Sequence, residues 1–151
     1  MLPGIPPFVL ALAVISLVTP VICWAWGGRP ERYGAGLALW TNLAFTSPTW
    51  LIGDVYVDSF IEDMIEAAGF GWLAFRSNRW WPFVATIAAV FALLVHVLTM
   101  VTDISWDAAV SARVGLGLLL YVALTAGALE RWLAGEPSAA AFSVWRRRKV
   151  P

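Results

Sequence analysis

Four stretches of this chain are long and almost uncharged. Phe8–Trp26, Tyr33–Ile52 and Phe83–Val101 contain no Asp, Glu, Lys or Arg, and Ala108–Leu129 contains one, Arg113. Each has about 20 residues, which as α-helix is about 30 Å, the thickness of a bilayer's hydrocarbon core. Hydrophobic residues make up 60 % of the 151 and charged residues 13 %. A soluble domain averages about 45–50 % apolar and about 25 % charged. The chain therefore reads as an all-α, polytopic transmembrane helix bundle. One bilayer domain is expected over 1–134, followed by a basic cytoplasmic tail over 135–151.

Punctuation between the runs supports helices. Pro3, Pro6 and Pro7 precede the first, where proline suits a helix start. Gly27–Arg32 reads as a turn with two arginines, and Pro48 as a kink near the end of the second run. Arg76–Pro82 reads as a basic, aromatic turn. Thr102–Asp107 is a short acidic turn in which Asp103 or Ser105 could serve as N-cap. Cys23 follows Ile22, not the small residue of a lipoprotein cleavage site, and reads as a core or lipid-facing hydrophobe. Asn42 reads as an interhelical hydrogen-bonding residue. The pairs Ala67/Gly71, Ser111/Gly115 and Ala123/Gly127 have the spacing that lets helices approach closely.

Val55–Phe75 decides the topology. It is long enough to cross, but it carries Asp58, Glu62, Asp63 and Glu66. If it crosses, there are five spans, and 9 of the 10 Lys and Arg residues fall on one side, leaving Asp54, Asp103 and Asp107 on the other. If it lies on the surface as an interfacial acidic helix, only four spans remain. Arg29 and Arg32 then sit opposite Arg76, Arg79 and the basic tail. Because Lys and Arg concentrate on the cytoplasmic side of short loops, five spans are favoured, with the N-terminus outside and the C-terminus inside. The tryptophans agree, since most of the ten fall at span ends, where Trp prefers to sit. The opposing term is that an acid at a span centre costs roughly 2.5–3.5 kcal/mol on an insertion scale.

In the five-span threading, Asp58, Glu62 and Glu66 form an i, i+4, i+8 stripe, with Asp63 off it. His96 and Arg113 fall at a comparable depth. These six residues form the candidate intramembrane polar cluster. Its structural reading has Arg113 and His96 neutralising Glu62 or Glu66 and fixing helix register. Its functional reading is a path for protons, ions or a small solute. Catalytic, metal and cofactor sites are not expected. There is one cysteine and one histidine, no nucleophile–base pair, and no Glu-x-x-His repeated on two helices as di-iron bundles require. A four-residue basic run at Arg146–Lys149 does not make a nucleic-acid surface.

The sequence RSNRWWP at Arg76–Pro82, followed by a span containing His96, resembles small multi-pass inner-membrane proteins of alphaproteobacterial type. The resemblance covers about Val55–Ala128. It implies a bacterial cytoplasmic (inner) membrane location and no particular chemistry, and the acids of the third segment depart from its pattern. The expectation is a small integral membrane protein, not an enzyme, acting as a structural or accessory subunit. The alternative is a minimal carrier using the polar cluster. Its partners would be the lipid bilayer and other membrane subunits or copies of itself.

Overall fold

The computed structural model describes residues 7–44, 51–52 and 55–138, with side chains described for 11–44 and 57–138. Five helices carry the fold: α1 (Pro7–Trp26), α2 (Arg29–Ala44), α3 (Val57–Arg76), α4 (Trp81–Val101) and α5 (Trp106–Leu133). A two-residue antiparallel ladder, β1 (Leu51–Ile52) with β2 (Val55–Tyr56), precedes α3 and pairs Leu51 with Tyr56 and Ile52 with Val55. Pro48, Trp50, Asp54, Trp145 and Arg146–Lys149 lie outside the described residues.

Local chemistry sets the helix ends. The arginine turn expected at Gly27–Arg32 is instead mostly helix, because α2 begins at Arg29. Pro30 suits a first helical turn. Glu31 reaches back so that its Oε2 accepts the Gly28 N–H at 2.7 Å, the glutamate half of a capping box. Ser105 caps α5, its hydroxyl accepting from the Ala108 N–H at 3.4 Å. α5 ends in a Schellman turn. Gly135 adopts φ +68°, its N–H bonds to the Trp132 carbonyl, and the Glu136 N–H bonds to the Arg131 carbonyl. Gly135 and Glu136, the first residues of the expected tail, are thus anchored to the bundle.

The helices form a ring in chain order that closes through α1 against α5, with α2 also touching α5. Contacts along their lengths give their directions. Thr19 meets Thr125 and Trp26 meets Trp132, so α1 and α5 run in parallel. Tyr33 meets Trp72 and Thr41 meets Glu66, so α2 and α3 are antiparallel. Phe70 meets Trp81 and Asp63 meets His96, so α3 and α4 are antiparallel. α5 then reverses α4, bringing Glu130 to Trp80. Direction alternates at every step. One end of the bundle gathers Arg29, Arg32, Arg76, Arg79 and Arg131, while Asp103 and Asp107 sit at the other.

Residue size sorts between inside and outside in the manner of a membrane bundle. On α4 the buried face is Trp81, Pro82, Ala85, Ala88, Ala89, Ala92 and His96. The exposed face carries Phe83, Ile87, Val90, Phe91, Leu94, Val97, Leu98 and Val101. Small residues inside let helices approach, and large apolar residues outside are at no disadvantage in lipid. Trp81 is the large exception, fully buried. A Cβ added at Gly34 would lie 2.6 Å from its Cη2, and one at Gly127 would collide with its Cδ1. The two glycines of α2 and α5 are what admit the indole, rather than a helix backbone as the Ala123/Gly127 spacing suggested.

α4 and α5 are each long and apolar enough to cross a membrane, and only 28 % of each apolar window is buried within the protein. A soluble core helix would be mostly covered. The described apolar part of α1, Ala11–Trp26, is shorter. α2 has 16 residues, about 24 Å, and the rest of the expected second span falls partly on 45–50. α3 is a continuous 20-residue helix starting at Val57 rather than Val55.

Candidate functional site

The polar cluster forms where α3, α4 and α5 meet. α3 buries Asp58, Asp63, Glu66, Phe70, Leu73 and Ala74. Stepping back from Phe70 by four and by seven residues reaches Glu66 and Asp63, one helical face. α4 presents His96 at the end of its alanine face, and α5 presents Arg113 about two turns after Ser105. His96 Nε2 lies 3.1 Å and Arg113 Nη2 lies 3.3 Å from one atom, Asp63 Oδ2. The side chains of Asp63 and His96 are 10 % and 7 % exposed, that of Arg113 27 %. His96 also meets the Phe60 ring edge-on at 5.8 Å between centroids.

This corrects the expected pairing. The hub is Asp63, the acid off the i, i+4 stripe, and not Glu62 or Glu66. Glu62 is half-buried at the rim of the interior face and makes no ion pair among the described residues. Glu66 is buried and accepts from the Thr41 hydroxyl of α2 at 2.7 Å. That hydroxyl is also 3.1 Å from the Ala38 carbonyl. Asp58 is buried at the start of α3, where its Oδ1 accepts the Ser59 N–H at 3.0 Å and a negative charge suits a helix N-terminus. The cluster therefore separates into an Asp63–His96–Arg113 triad, an adjacent Glu66–Thr41 pair, and Asp58 and Glu62 at its margins.

The triad is close in distance but is not aligned as hydrogen bonds. Asp63 Oδ2, His96 Nε2 and Arg113 Nε are buried without a hydrogen-bond partner among the described residues. Attraction between Asp63 and Arg113 is therefore coulombic, and His96 adds to it only when protonated. A cavity of about 50 Å³ opens between Asp63, Glu66 and Arg113, walled by Ala88, Ala89, Ala92 and Gly117. It is large enough for water and has no room for a metabolite. Among the described residues no three His, Cys, Asp or Glu side chains gather as a metal-ligand set.

A second polar centre, at the arginine end, was not anticipated. Glu31 is fully buried. Its Oε2 takes the Gly28 N–H and lies 3.6 Å from Arg131 Nη1, while its Oε1 accepts from Trp81 Nε1 at 3.1 Å. Arg131 Nη2 lies 3.3 Å from Glu136 Oε2, which also pairs with Arg79. Trp80 Nε1 donates to Glu130. The RSNRWWP segment thus works as a clamp, with Arg79 and Trp80 gripping the end of α5 and Trp81 filling the core. Gly-x-x-Glu with a proline between, at Gly28–Glu31, was the signal that could have placed Glu31 in a helix cap.

Other side chains behave as their types suggest. Asn42 donates to the Tyr121 hydroxyl at 2.7 Å, joining α2 to α5. Cys23 is fully buried, 3.8 Å from the Leu124 carbonyl. A Cβ at Gly71 would lie 3.7 Å from Thr86, an ordinary contact, while one at Gly115 would meet nothing within 4 Å. Compared with protein-family models, with curated proteins and with solved structures, the chain finds no match.

Proposed function

We propose that the chain is an integral protein of the bacterial cytoplasmic membrane, crossing the bilayer five times with the N-terminus outside and the C-terminus inside. In this reading it acts by association, as a structural or accessory subunit of a membrane assembly. The alternation of five helices supports the threading. So does the gathering of five arginines at one end beside exposed Trp24, Trp26, Tyr33, Trp72, Trp80 and Trp132, an aromatic belt at the level of lipid headgroups. The acids of α3 are tolerable in a span because they turn inward, where Arg113 balances one of them.

The observation that carries the structural role is the convergence of His96 and Arg113 on Asp63 Oδ2. The ionisable groups of three helices are used on one another, around a cavity of water size. Ser111 and Gly115 remain exposed on α5, a small-residue face against which a partner helix can pack closely. Proton conduction is the second reading, favoured by the unaligned buried atoms Asp63 Oδ2, His96 Nε2 and Arg113 Nε beside that cavity.

Vesicles loaded with a pH-sensitive dye separate the two. The structural role predicts no protein-dependent proton flux in the wild type, and a reduced yield of folded protein for Asp63→Asn. A wild-type flux that Asp63→Asn abolishes, while its helicity and thermal transition stay unchanged, would replace the structural role with the conducting one.

A further inference from the structure

The outer face of α2 carries a groove of about 580 Å³ lined by Trp24, Arg29, Arg32, Tyr33, Gly36, Leu37 and Trp40. The α2 residues recur at helical spacing from 29 to 40, so they make one stripe about 16 Å long. Its two ends differ in chemistry. Arg29 and Arg32 stand at the arginine end of the bundle. Gly36, Leu37 and Trp40 extend toward the middle. Gly36 has no side chain to fill the groove, and a Cβ there would meet nothing within 4 Å.

Among the described residues two of the five arginines at that end are paired with acids, and of the three that are not, Arg29 and Arg32 line this groove. Arg79 pairs with Glu130 and Glu136, Arg131 with Glu31 and Glu136, and Arg76 lies over the Trp72 ring. Glu31, their neighbour in sequence, turns inward and is used up by Gly28, Trp81 and Arg131. Among the described residues Arg29 and Arg32 have no acidic partner. Arg32 is nevertheless held in place, donating through Nη2 to the Trp24 carbonyl at 2.7 Å, and its Nε is buried without a hydrogen-bond partner. An unneutralised pair of guanidinium groups, Arg32 held in place and Arg29 exposed beside it, above an apolar, aromatic channel matches an amphiphile with an anionic head.

We propose that this groove seats one acidic phospholipid of the cytoplasmic leaflet, its phosphate between Arg29 and Arg32 and an acyl chain along Gly36, Leu37 and Trp40. The proposal rests on the membrane reading above. Guanidinium supplies paired donors to phosphate oxygens, and the flanking Trp24 and Tyr33 suit the headgroup level. The stripe has the length of a substantial part of one acyl chain.

The test is native mass spectrometry of the delipidated full chain in mild detergent, titrated with phosphatidylglycerol or with phosphatidylcholine of the same acyl chains. The wild type is expected to keep one phosphatidylglycerol in preference to phosphatidylcholine. Arg29→Gln with Arg32→Gln should weaken phosphatidylglycerol by roughly thirtyfold, the attraction of two basic residues for an anionic surface, and weaken zwitterionic phosphatidylcholine less, so that the preference between the two lipids is lost. Gly36→Leu, which fills the channel and keeps both charges, should weaken both lipids. Equal binding of the two lipids, an undiminished phosphatidylglycerol adduct in the double variant, or displacement of the lipid by inorganic phosphate alone would overturn the proposal. Carbonate washing of membranes separates this failure from the other. Protein that stays with washed membranes but shows no lipid preference sinks the lipid site alone, whereas protein released by the wash sinks the membrane reading.

Discussion

Replacing Asp63 by Asn tests the triad most sharply, because the change keeps the shape and removes the charge. Two magnitudes bracket the cost. Removing one member of a buried ion pair costs about 3–5 kcal/mol in soluble proteins. Interhelical polar contacts in a membrane protein average about 0.6 kcal/mol and reach about 1.7. Asp63 and His96 are nearly enclosed, which pulls toward the larger value. Arg113 is 27 % exposed and can turn toward water or Glu62, which pulls toward the smaller. The expected loss is about 2 kcal/mol, just above the membrane range and below the soluble one. Arg113→Gln should cost less alone. The double variant should be more stable than the sum of the two losses implies, by about 1 kcal/mol or more, because both change one contact. The assay is reversible unfolding in mixed micelles with increasing SDS, followed by far-UV circular dichroism. Glu62→Gln is the control and should cost less than Asp63→Asn. Loss below about 0.5 kcal/mol for Asp63→Asn, or strict additivity with Arg113→Gln, would refute the triad as a structural lock.

Two further outcomes follow from the packing. Gly127→Leu drives a side chain into Trp81 and should lose about 2 kcal/mol or more, while Gly115→Ala meets nothing within 4 Å and should be neutral or stabilising, since alanine favours a helix by about 1 kcal/mol over glycine. The same SDS titration reads both. Glu31→Ala strips partners from the Gly28 N–H, Trp81 and Arg131, and should cost about 2–3 kcal/mol. Glu31→Gln keeps an acceptor for Trp81 and should recover part of that loss, seen as an intermediate midpoint and a preserved tryptophan emission maximum.

Four of the five helices were legible in long, nearly uncharged runs and the turns between them, and the acidic third followed from the distribution of arginines. The interior faces were not, and the reason is physical. In water an apolar stripe marks the inside, but on α4 Phe83 and Leu94 face out while Ala85 and Ala92 face in, a pattern that suits lipid, which is as apolar as leucine. Without that cue mutual spacing places Asp58, Glu62 and Glu66 on one stripe and sets Asp63, also a member of the cluster, off it. Had Phe70 been known to face inward, steps of four and seven would have reached Glu66 and Asp63. Glu31 was hidden differently. A glutamate between two arginines in a Gly-Pro segment looks like a solvated turn until the cap to Gly28 and the approach of Trp81 from α4 are seen. Trp81 looked interfacial for a similar reason, since nothing local says that Gly34 and Gly127 will make room for it.

Five crossings with the arginine end in the cytoplasm are the central claim, and labelling from each side of the membrane tests it most directly. Cys23 is buried and can be replaced by Ala to clear the background. Single cysteines at Asn78 and Asp103, both exposed, are then treated in intact cells or spheroplasts with a membrane-impermeant maleimide. The account predicts labelling at position 103 in intact cells, and labelling at position 78 only after the membrane is opened. Labelling of position 78 from outside would contradict it.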